Sequence, residues 1–219
     1  MEKSITELKN IHSGEDIWII ASGASMEYVA PDFFKNKLSI GVNHVYQRFP
    51  CTYLVRKETE YGQDAIDTGI PLIASRNDCG GTRPNKWKGD YYIFEHSRNQ
   101  FTEIDLDVIG TDMIVVSFST ITSAIHVAAY MGAANIILCG HDCGTLDNKL
   151  NYQEYYDTEG GIDKTMPLNE KHARWYRSWI KQIEPQTLAI RDRITAVYGV
   201  NIYSLNPFIN LGLEGHVFE

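Results

Sequence analysis

Several features that would point to common functional classes are scarce or missing in this sequence. Its 219 residues include only four cysteines, and no two of them form a CxxC pair. Acidic residues outnumber basic residues by 28 to 20, which gives a formal net charge of −8. Because nucleic acids are bound through a basic face, we expect no general binding to DNA or RNA.

Long apolar runs are missing as well. No stretch is apolar over the roughly 20 residues that cross a bilayer as a helix, and we recognise no signal peptide. We therefore expect a cytoplasmic protein without a membrane span, whose cysteines are free thiols. These are Cys51, Cys79, Cys139 and Cys143. The apolar content of 43% is ordinary for a globular protein and is enough for a full core.

The most informative stretch of the chain is residues 120–144. Its first half has apolar residues at helical spacing, which predicts a helix with one buried face that stops at Gly132. Those residues are Ile121, Ile125, Ala128 and Ala129. Residues 135–140 are then almost entirely apolar, as is typical of a strand covered on both faces. This strand opens into a polar corner at Gly140 and Asp142, and in open α/β sheets that edge binds ligands.

Short apolar runs alternate with helical segments along the rest of the chain. Further strands are predicted at 16–21, 38–42, 53–55, 70–74, 91–95, 113–117 and 200–204. Further helices are predicted at 58–68, from 167 to about 183, and after Pro185 to about 198. Residues 1–14 are predicted as a short helix or a lead-in.

This alternation predicts an α/β fold. We expect one Rossmann-like nucleotide-binding domain over residues 1–219, with a mainly parallel twisted sheet and helices on both faces. Residues 145–186 are expected to supply a helical or loop lid and C-terminal helices, because a long polar segment follows directly on the strand at 135–140. The apolar positions also leave a homo-oligomer open.

Small residues follow the first predicted strand, in the turn Ser22-Gly23-Ala24-Ser25. Its backbone N–H groups could approach a phosphate, or it could be an ordinary tight turn. The turn matches neither GxGxxG nor a Walker loop. Asn43, rather than an acidic residue, ends the next strand, which disfavours a nicotinamide or flavin dinucleotide. The Asn43 amide could contact a base, a sugar or a phosphate, or form a local Asx turn.

Polar residues also mark the corner between the helix and strand of residues 120–144. The hydroxyls of Thr122 and Ser123 could cap the helix or bind an anion at its N-terminus. Asp142 could hold a ribose hydroxyl or Mg²⁺, or cap a turn. Zinc-ligand residue types lie beside it, but they lack the spacing of a zinc site, so we expect no zinc there. They are Cys139, His141 and Cys143.

His172 is the candidate for proton transfer. At about 100° per residue it shares one helix face with large apolar residues, so it is expected to face the protein. Those residues are Leu168, Trp175, Trp179 and Ile183. A half-buried histidine can act as a general base or acid, although the spacing alone favours a core histidine without a catalytic role.

In their order and spacing, these segments resemble the bacterial lipooligosaccharide sialyltransferases. The related motility-associated-factor flagellin glycosyltransferases and the archaeal hydroxymethyl-dihydropterin diphosphokinases share a version of the same domain. The resemblance covers residues 16 to about 207. It is carried by the turn ending at Ser25, the strand ending at Asn43, Ile121-Thr122-Ser123, residues 136–142, His172 and Ile202-Tyr203-Ser204-Leu205-Asn206-Pro207.

The resemblance implies a cytidine monophosphate sugar as donor, a small-molecule or glycan acceptor, and no required cofactor. The nucleotide contacts that it implies come from Ser22, Gly23, Asn43, Ser123, Gly140 and Asp142. Ser25 and Thr122 complete the predicted binding set. Tyr152 would be a lid tyrosine, and His172 would be the base that deprotonates the acceptor hydroxyl.

Several family positions differ in this chain, including Ser22 for an Asn and Ala24 for a Pro in the turn, and Ala124 for a Gly after Ser123. Thr120 stands where the sialyltransferases carry an Arg, and Asn169 stands where they carry a Tyr three residues before the catalytic His. Three hypotheses therefore stay open. The first is a glycosyltransferase that uses a nucleotide-activated sugar, the second a diphosphokinase or nucleotide hydrolase with Mg²⁺ at Asp142, and the third a non-catalytic nucleotide-binding protein.

Overall fold

A computed structural model describes residues 1–57, 62–76, 87–97, 104–144, 146, 149, 151–152 and 170–205, with the backbone alone for 170–181. Within these ranges the strands are β1 (Glu2–Ser4), β2 (Asp16–Ile20), β3 (Ser39–Val42), β4 (Tyr53–Arg56), β5 (Leu72–Ser75), β6 (Tyr91–Phe94), β7 (Asn135–Cys139) and β8 (Asn201–Ser204). All of them join one sheet in the order β1-β6-β5-β4-β3-β2-β7-β8. Every pairing is parallel, which confirms the predicted α/β class.

Side chains alternate along each strand, so both faces of the sheet carry apolar residues, and other elements cover each face. Ile17 and Ile19 of β2 belong to a core cluster with the helices α2 (Thr120–Tyr130) and α3 (Glu170–Tyr198). Trp18 and Ile20 point to the other face, where 3₁₀ helices follow the strands. On that face α1 (Gly62–Asp67) packs farther along the sheet. Every residue of α2 is buried, and the helix packs against α3 and against strands β2, β3, β4 and β7.

Residues 113–117 do not form the predicted strand. Only Met113 pairs with the sheet, through a single parallel bridge to the residue that follows β6. Val115 instead donates its N–H to His126 Nδ1 at 3.0 Å and accepts the Ser123 hydroxyl at 2.8 Å. Two side chains of α2 thus occupy the backbone groups that a neighbouring strand would use, and the prediction was wrong for that reason.

The two predicted C-terminal helices form one helix. α3 runs from Glu170 to Tyr198 with Pro185 in its interior. A proline there removes one backbone hydrogen bond. Ile190 and Ile194 are fully buried in the core. The packing of this second half offsets the local cost of the proline, which sequence reasoning took as a helix boundary.

The remaining differences concern short elements. Residues 1–14 form β1 and a 3₁₀ helix at Ile5–Leu8, and three residues of strand are too few to show alternation. Of the helix predicted at 58–68, α1 accounts for Gly62–Asp67, and residues 58–61 lie outside the described ranges. None of the helices in the described ranges combines the length and apolar character of a membrane span. Cys51, Cys139 and Cys143 are free thiols, as predicted, and Cys79 is not among the described residues.

Candidate functional site

The turns after β2 and β7 lie against each other at the carboxyl edge of the sheet. The two strands pair along their whole length, from Asp16 to Ile20 on β2. Their ladder continues past the strand ends, because Gly23 N–H donates to the Gly140 carbonyl at 2.9 Å. Residues 22–25 and 140–144 therefore form one continuous edge, at the position where open α/β sheets bind ligands.

Gly23 and Gly140 are required by this close contact. A Cβ on Gly23 would lie 2.3 Å from the Gly140 carbonyl oxygen and 2.5 Å from the Asp142 carboxyl carbon. Gly140 has a φ of +72°, and a Cβ there would lie 2.6 Å from the Ala21 carbonyl oxygen. Both glycines thus have a structural requirement that is independent of any ligand.

Asp142 holds the turn after β2 from the β7 side. Its Oδ2 accepts the Ser25 N–H at 2.8 Å, and its Oδ1 accepts the Ser25 hydroxyl at 2.5 Å. The carboxylate therefore stands where an anion would bind to this turn. A phosphate at the Ser25 N–H would have to displace Asp142.

Ser22 joins the same edge to residues 151–152. Its hydroxyl donates to Asn151 Oδ1 at 2.7 Å, and its carbonyl accepts the Tyr152 N–H at 3.1 Å. The Tyr152 ring is buried edge-on against Phe49, so it belongs to the core rather than to an exposed surface. Of the segment predicted as lid and C-terminal helices, residues 145–186, the described ones are 146, 149, 151–152 and 170–186.

Asn43 follows directly after β3 in an uncommon conformation. Its φ is +57°, and its N–H donates to the Val55 carbonyl at 3.2 Å. Its Oδ1 is buried and has no hydrogen-bond partner among the described residues. Strained backbone and unoccupied buried acceptors both concentrate at functional sites. The side-chain Oδ1 of Asn43 is suited to a ligand that donates a hydrogen bond, such as a base amino group or a ribose hydroxyl.

Thr122 and Ser123 lie at the start of α2, but their hydroxyls point inward. Thr122 Oγ1 donates to the Ser119 carbonyl at 2.7 Å, and Ser123 Oγ donates to the Val115 carbonyl at 2.8 Å. Both side chains are fully buried. The hydroxyls of these two predicted residues are therefore taken by nearby backbone carbonyls, and they shape the segment that leads into α2.

A buried basic group after β3 and β4 escapes sequence reasoning. His44, Arg56 and Lys57 are all nearly or fully buried. Lys57 Nζ donates to the carbonyls of Ser117 and Phe118, at 2.9 and 2.7 Å. Arg56 Nη2 lies 3.3 Å from His44 Nε2. The sequence signal for this group was Arg56-Lys57 directly after an apolar strand, because charged residues are rarely buried unless they are paired.

His141 connects the turn after β7 to α3. Its Nε2 lies 2.9 Å from Thr187 Oγ1 and 3.4 Å from Cys143 Sγ. Burial lowers the pKa of His141 to about 4 and raises the pKa of the Cys143 thiol to about 12. Both side chains are therefore neutral at pH 7, which rules out a thiolate–imidazolium pair. In the described part of the chain no group of three or more His, Cys, Asp or Glu side chains could hold a metal ion.

Acid will destabilise this fold at a pH where most carboxylates are still ionised. Burial holds the pKa of His126 at about 3 and that of His141 at about 4, against 6.5 for an ordinary histidine. Below pH 6.5 the unfolded chain takes up protons that the folded chain does not, so stability falls as the pH falls. We expect a loss of about 2 kcal/mol between pH 6 and pH 5, measured by urea unfolding.

Single variants assign this loss to the two histidines. His126→Gln and His141→Gln should each reduce the loss by about half, whatever their own stability at pH 7. Equal free energies of unfolding at pH 6 and pH 5 in the wild-type protein would show that the two imidazoles titrate normally.

A solved enzyme structure has the same architecture. The crystal structure of the monofunctional alpha-2,3-sialyltransferase Cst-I from Campylobacter jejuni matches with a TM-score of 0.54 and 12% sequence identity. The chain has the fold of a sialyltransferase. The match covers 91% of this chain and 78% of that chain. No protein-family model and no curated protein matches the sequence.

At this identity the likeness to the sialyltransferase concerns the fold alone, and the individual site residues remain predictions. His172 lies in the first half of α3, where the side chains are outside the described part of the structure. Of the residues predicted to bind the nucleotide, the structure brings together five at the carboxyl edge: Ser22, Gly23, Ser25, Gly140 and Asp142. Asn43 directly follows β3, which pairs with β2 on its other side.

Proposed function

We propose that this protein is a glycosyltransferase that uses a nucleotide-activated sugar, with a CMP-nonulosonic acid as the first donor to test. The observation that supports this most is the joined carboxyl edge of β2, β3 and β7. It gathers the turn at residues 22–25, Asn43 and the turn at residues 140–144 on a sheet with a sialyltransferase fold.

The contacts at this edge favour some roles over others. Gly23 and Gly140 let the two turns approach each other closely, and the buried Asn43 Oδ1 is an acceptor suited to a base or ribose donor. Asp142 supports the turn through Ser25. Since the carboxylate already occupies the Ser25 N–H, we assign the phosphate to other groups than this turn. Thr122 and Ser123 act through the shape of the segment before α2.

The reaction is a displacement at the anomeric carbon of the donor sugar. His172 accepts the proton of the acceptor hydroxyl, and the acceptor oxygen forms the new bond to the anomeric carbon. The bond from that carbon to the phosphate oxygen breaks, and the nucleoside monophosphate leaves with the electron pair. Positioning of the two substrates and stabilisation of the leaving phosphate supply most of the reduction in barrier.

A thermal-shift screen against nucleotides and nucleotide sugars tests the proposal. A ligand at about 100 times its Kd should raise the free energy of unfolding by about 2.7 kcal/mol. We expect CMP and CMP-N-acetylneuraminic acid to stabilise the protein, and release of CMP from that donor to be catalysed when an acceptor glycan is added. A panel of CMP, UDP and GDP sugars without any stabilising member would overturn the proposal.

Two rival functions are separated by additional arms of this screen. A diphosphokinase or nucleotide hydrolase would require Mg²⁺ at Asp142, whose two carboxylate oxygens each accept a hydrogen bond from Ser25. Stabilisation by ATP that depends on Mg²⁺ would favour it. A non-catalytic nucleotide-binding protein is motivated by Thr120 and Asn169. Binding of a donor without any turnover would favour that one.

A further inference from the structure

Two adjacent residues of α3 reach the turns at the carboxyl edge. Gln186 Oε1 accepts the Phe118 N–H at 3.1 Å, and Thr187 Oγ1 lies 2.9 Å from His141 Nε2. Both side chains are buried, Thr187 almost completely. Phe118 precedes α2, and His141 follows β7. One point on α3 is therefore bonded to two separate parts of the candidate site.

The direction of these bonds follows from the hydrogen atoms available. The Thr187 hydroxyl donates its only proton to the Ile183 carbonyl at 2.8 Å, so it can only accept from His141. His141 therefore carries its proton on Nε2. Without the Thr187 hydroxyl, this buried N–H would keep only the Cys143 sulfur at 3.4 Å, which is a weak acceptor. The contact is specific for a hydroxyl at position 187.

Pro185 gives this contact its importance. It has no N–H to donate to the carbonyl of residue 181, so the two halves of α3 are joined by one backbone bond fewer. The second half is held by burial of Ile190 and Ile194 in the core. The first half carries His172 and joins the second at Gln186 and Thr187, directly after the proline.

The loop that Gln186 contacts is also held from the opposite side. Lys57 Nζ, at the end of β4, donates to the Phe118 carbonyl, while Gln186 accepts from the Phe118 N–H. The peptide groups of Phe118 thus connect β4 to α3, and Thr187 connects α3 onward to His141 after β7. The helix is tied to the edge through fixed backbone positions.

We infer that Gln186 and Thr187 are positioning residues, which fix the first half of α3, and His172 with it, relative to the turns after β2 and β7. The part of this inference that concerns catalysis rests on the proposed function. The part that concerns the helix does not. Because a misplacement of about 1 Å can cost about 10²-fold in rate, removal of the anchor should act on turnover rather than on nucleotide binding.

The test compares three variants of the full chain. Thr187→Val removes the hydroxyl with little change of shape, Thr187→Ser keeps the hydroxyl, and Thr195→Val removes an exposed hydroxyl from the same helix. The readouts are kcat for transfer, the Kd of CMP, and amide hydrogen exchange of residues 170–184. We expect Thr187→Val to lower kcat by about tenfold or more with the Kd unchanged. Its exchange over 170–184 should be about fivefold faster, whereas Thr187→Ser and Thr195→Val should resemble the wild type.

The outcomes separate this inference from the proposed function. If no donor is turned over by the wild type, the exchange measurement alone decides, and exchange over 170–184 that Thr187→Val leaves unchanged overturns the inference. If transfer is observed, a loss in Thr187→Val that is equal in kcat and in CMP affinity, or that Thr187→Ser fails to restore, also overturns it. Should Thr187→Val not fold, Gln186→Ala carries the same measurements through the Phe118 contact.

Discussion

Gly23→Ala will lower the free energy of unfolding by about 3 kcal/mol and abolish nucleotide binding. The added methyl group would lie 2.3 Å from the Gly140 carbonyl oxygen and 2.6 Å from Asp142 Oδ2. One of these atoms is backbone, and the other belongs to a carboxylate held by Ser25. The φ of Gly23 is −54°, which alanine adopts freely, so the effect comes from the contact alone. Urea unfolding and a thermal shift with CMP measure the two losses.

Gly144→Ala is the matched control for this substitution. Gly144 belongs to the turn after β7 as well, and among the described residues a Cβ there would meet only the Asp142 carbonyl oxygen, at 3.7 Å. That is an ordinary contact, so we expect a change within about 0.5 kcal/mol. A Gly23→Ala protein as stable as Gly144→Ala would mean that the turns after β2 and β7 do not approach each other as closely as described.

The strands could be predicted from the sequence because their burial leaves a local record. Residues 135–140 are almost entirely apolar since β7 is covered on both faces, and β2 and β3 show the same pattern. The strand predicted at 113–117 was wrong because apolar character does not show which groups the backbone hydrogen bonds join. The backbone of Val115 bonds to the side chains of His126 and Ser123, and no local sequence pattern indicates such side-chain partners. The helix boundary predicted at Pro185 was wrong as well, because tertiary packing overrides a local helix breaker.

The candidate site could be predicted only in part. Parallel strands bring their carboxyl ends to one edge, so the proximity of residues 22–25 and 140–142 follows from topology alone. The pairing of Asp142 with Ser25 does not, because the two are 117 positions apart and either could have faced a ligand. For the same reason the inward hydroxyls of Thr122 and Ser123, and the contacts of Lys57 with the carbonyls of Ser117 and Phe118, appear only in three dimensions. Sequence motifs place polar groups near an edge, and packing decides which of them remain available.

His172→Ala will lower the rate of transfer by at least about 10²-fold while leaving the Kd of CMP unchanged. The imidazole is proposed to take the acceptor proton, and this role is filled only while the acceptor oxygen attacks. Its removal should therefore reduce kcat and leave the binding of a nucleotide that lacks the acceptor untouched. The fall of kcat toward acid pH should disappear in the variant as well, since that fall reports protonation of the base.

A second histidine variant distinguishes loss of the base from loss of any imidazole. His12 lies outside the candidate site, before β2, where it contacts Glu15 and Tyr53, each at 3.0 Å. His12→Gln should therefore leave kcat and its pH profile as in the wild type, while His172→Ala changes both. If His172→Ala retains the wild-type kcat, then His172 is not the base, and the proton must go to another group or to the leaving phosphate. If both variants lose activity in step with their stability, the loss reports folding, and His172 has no separate part in the chemistry.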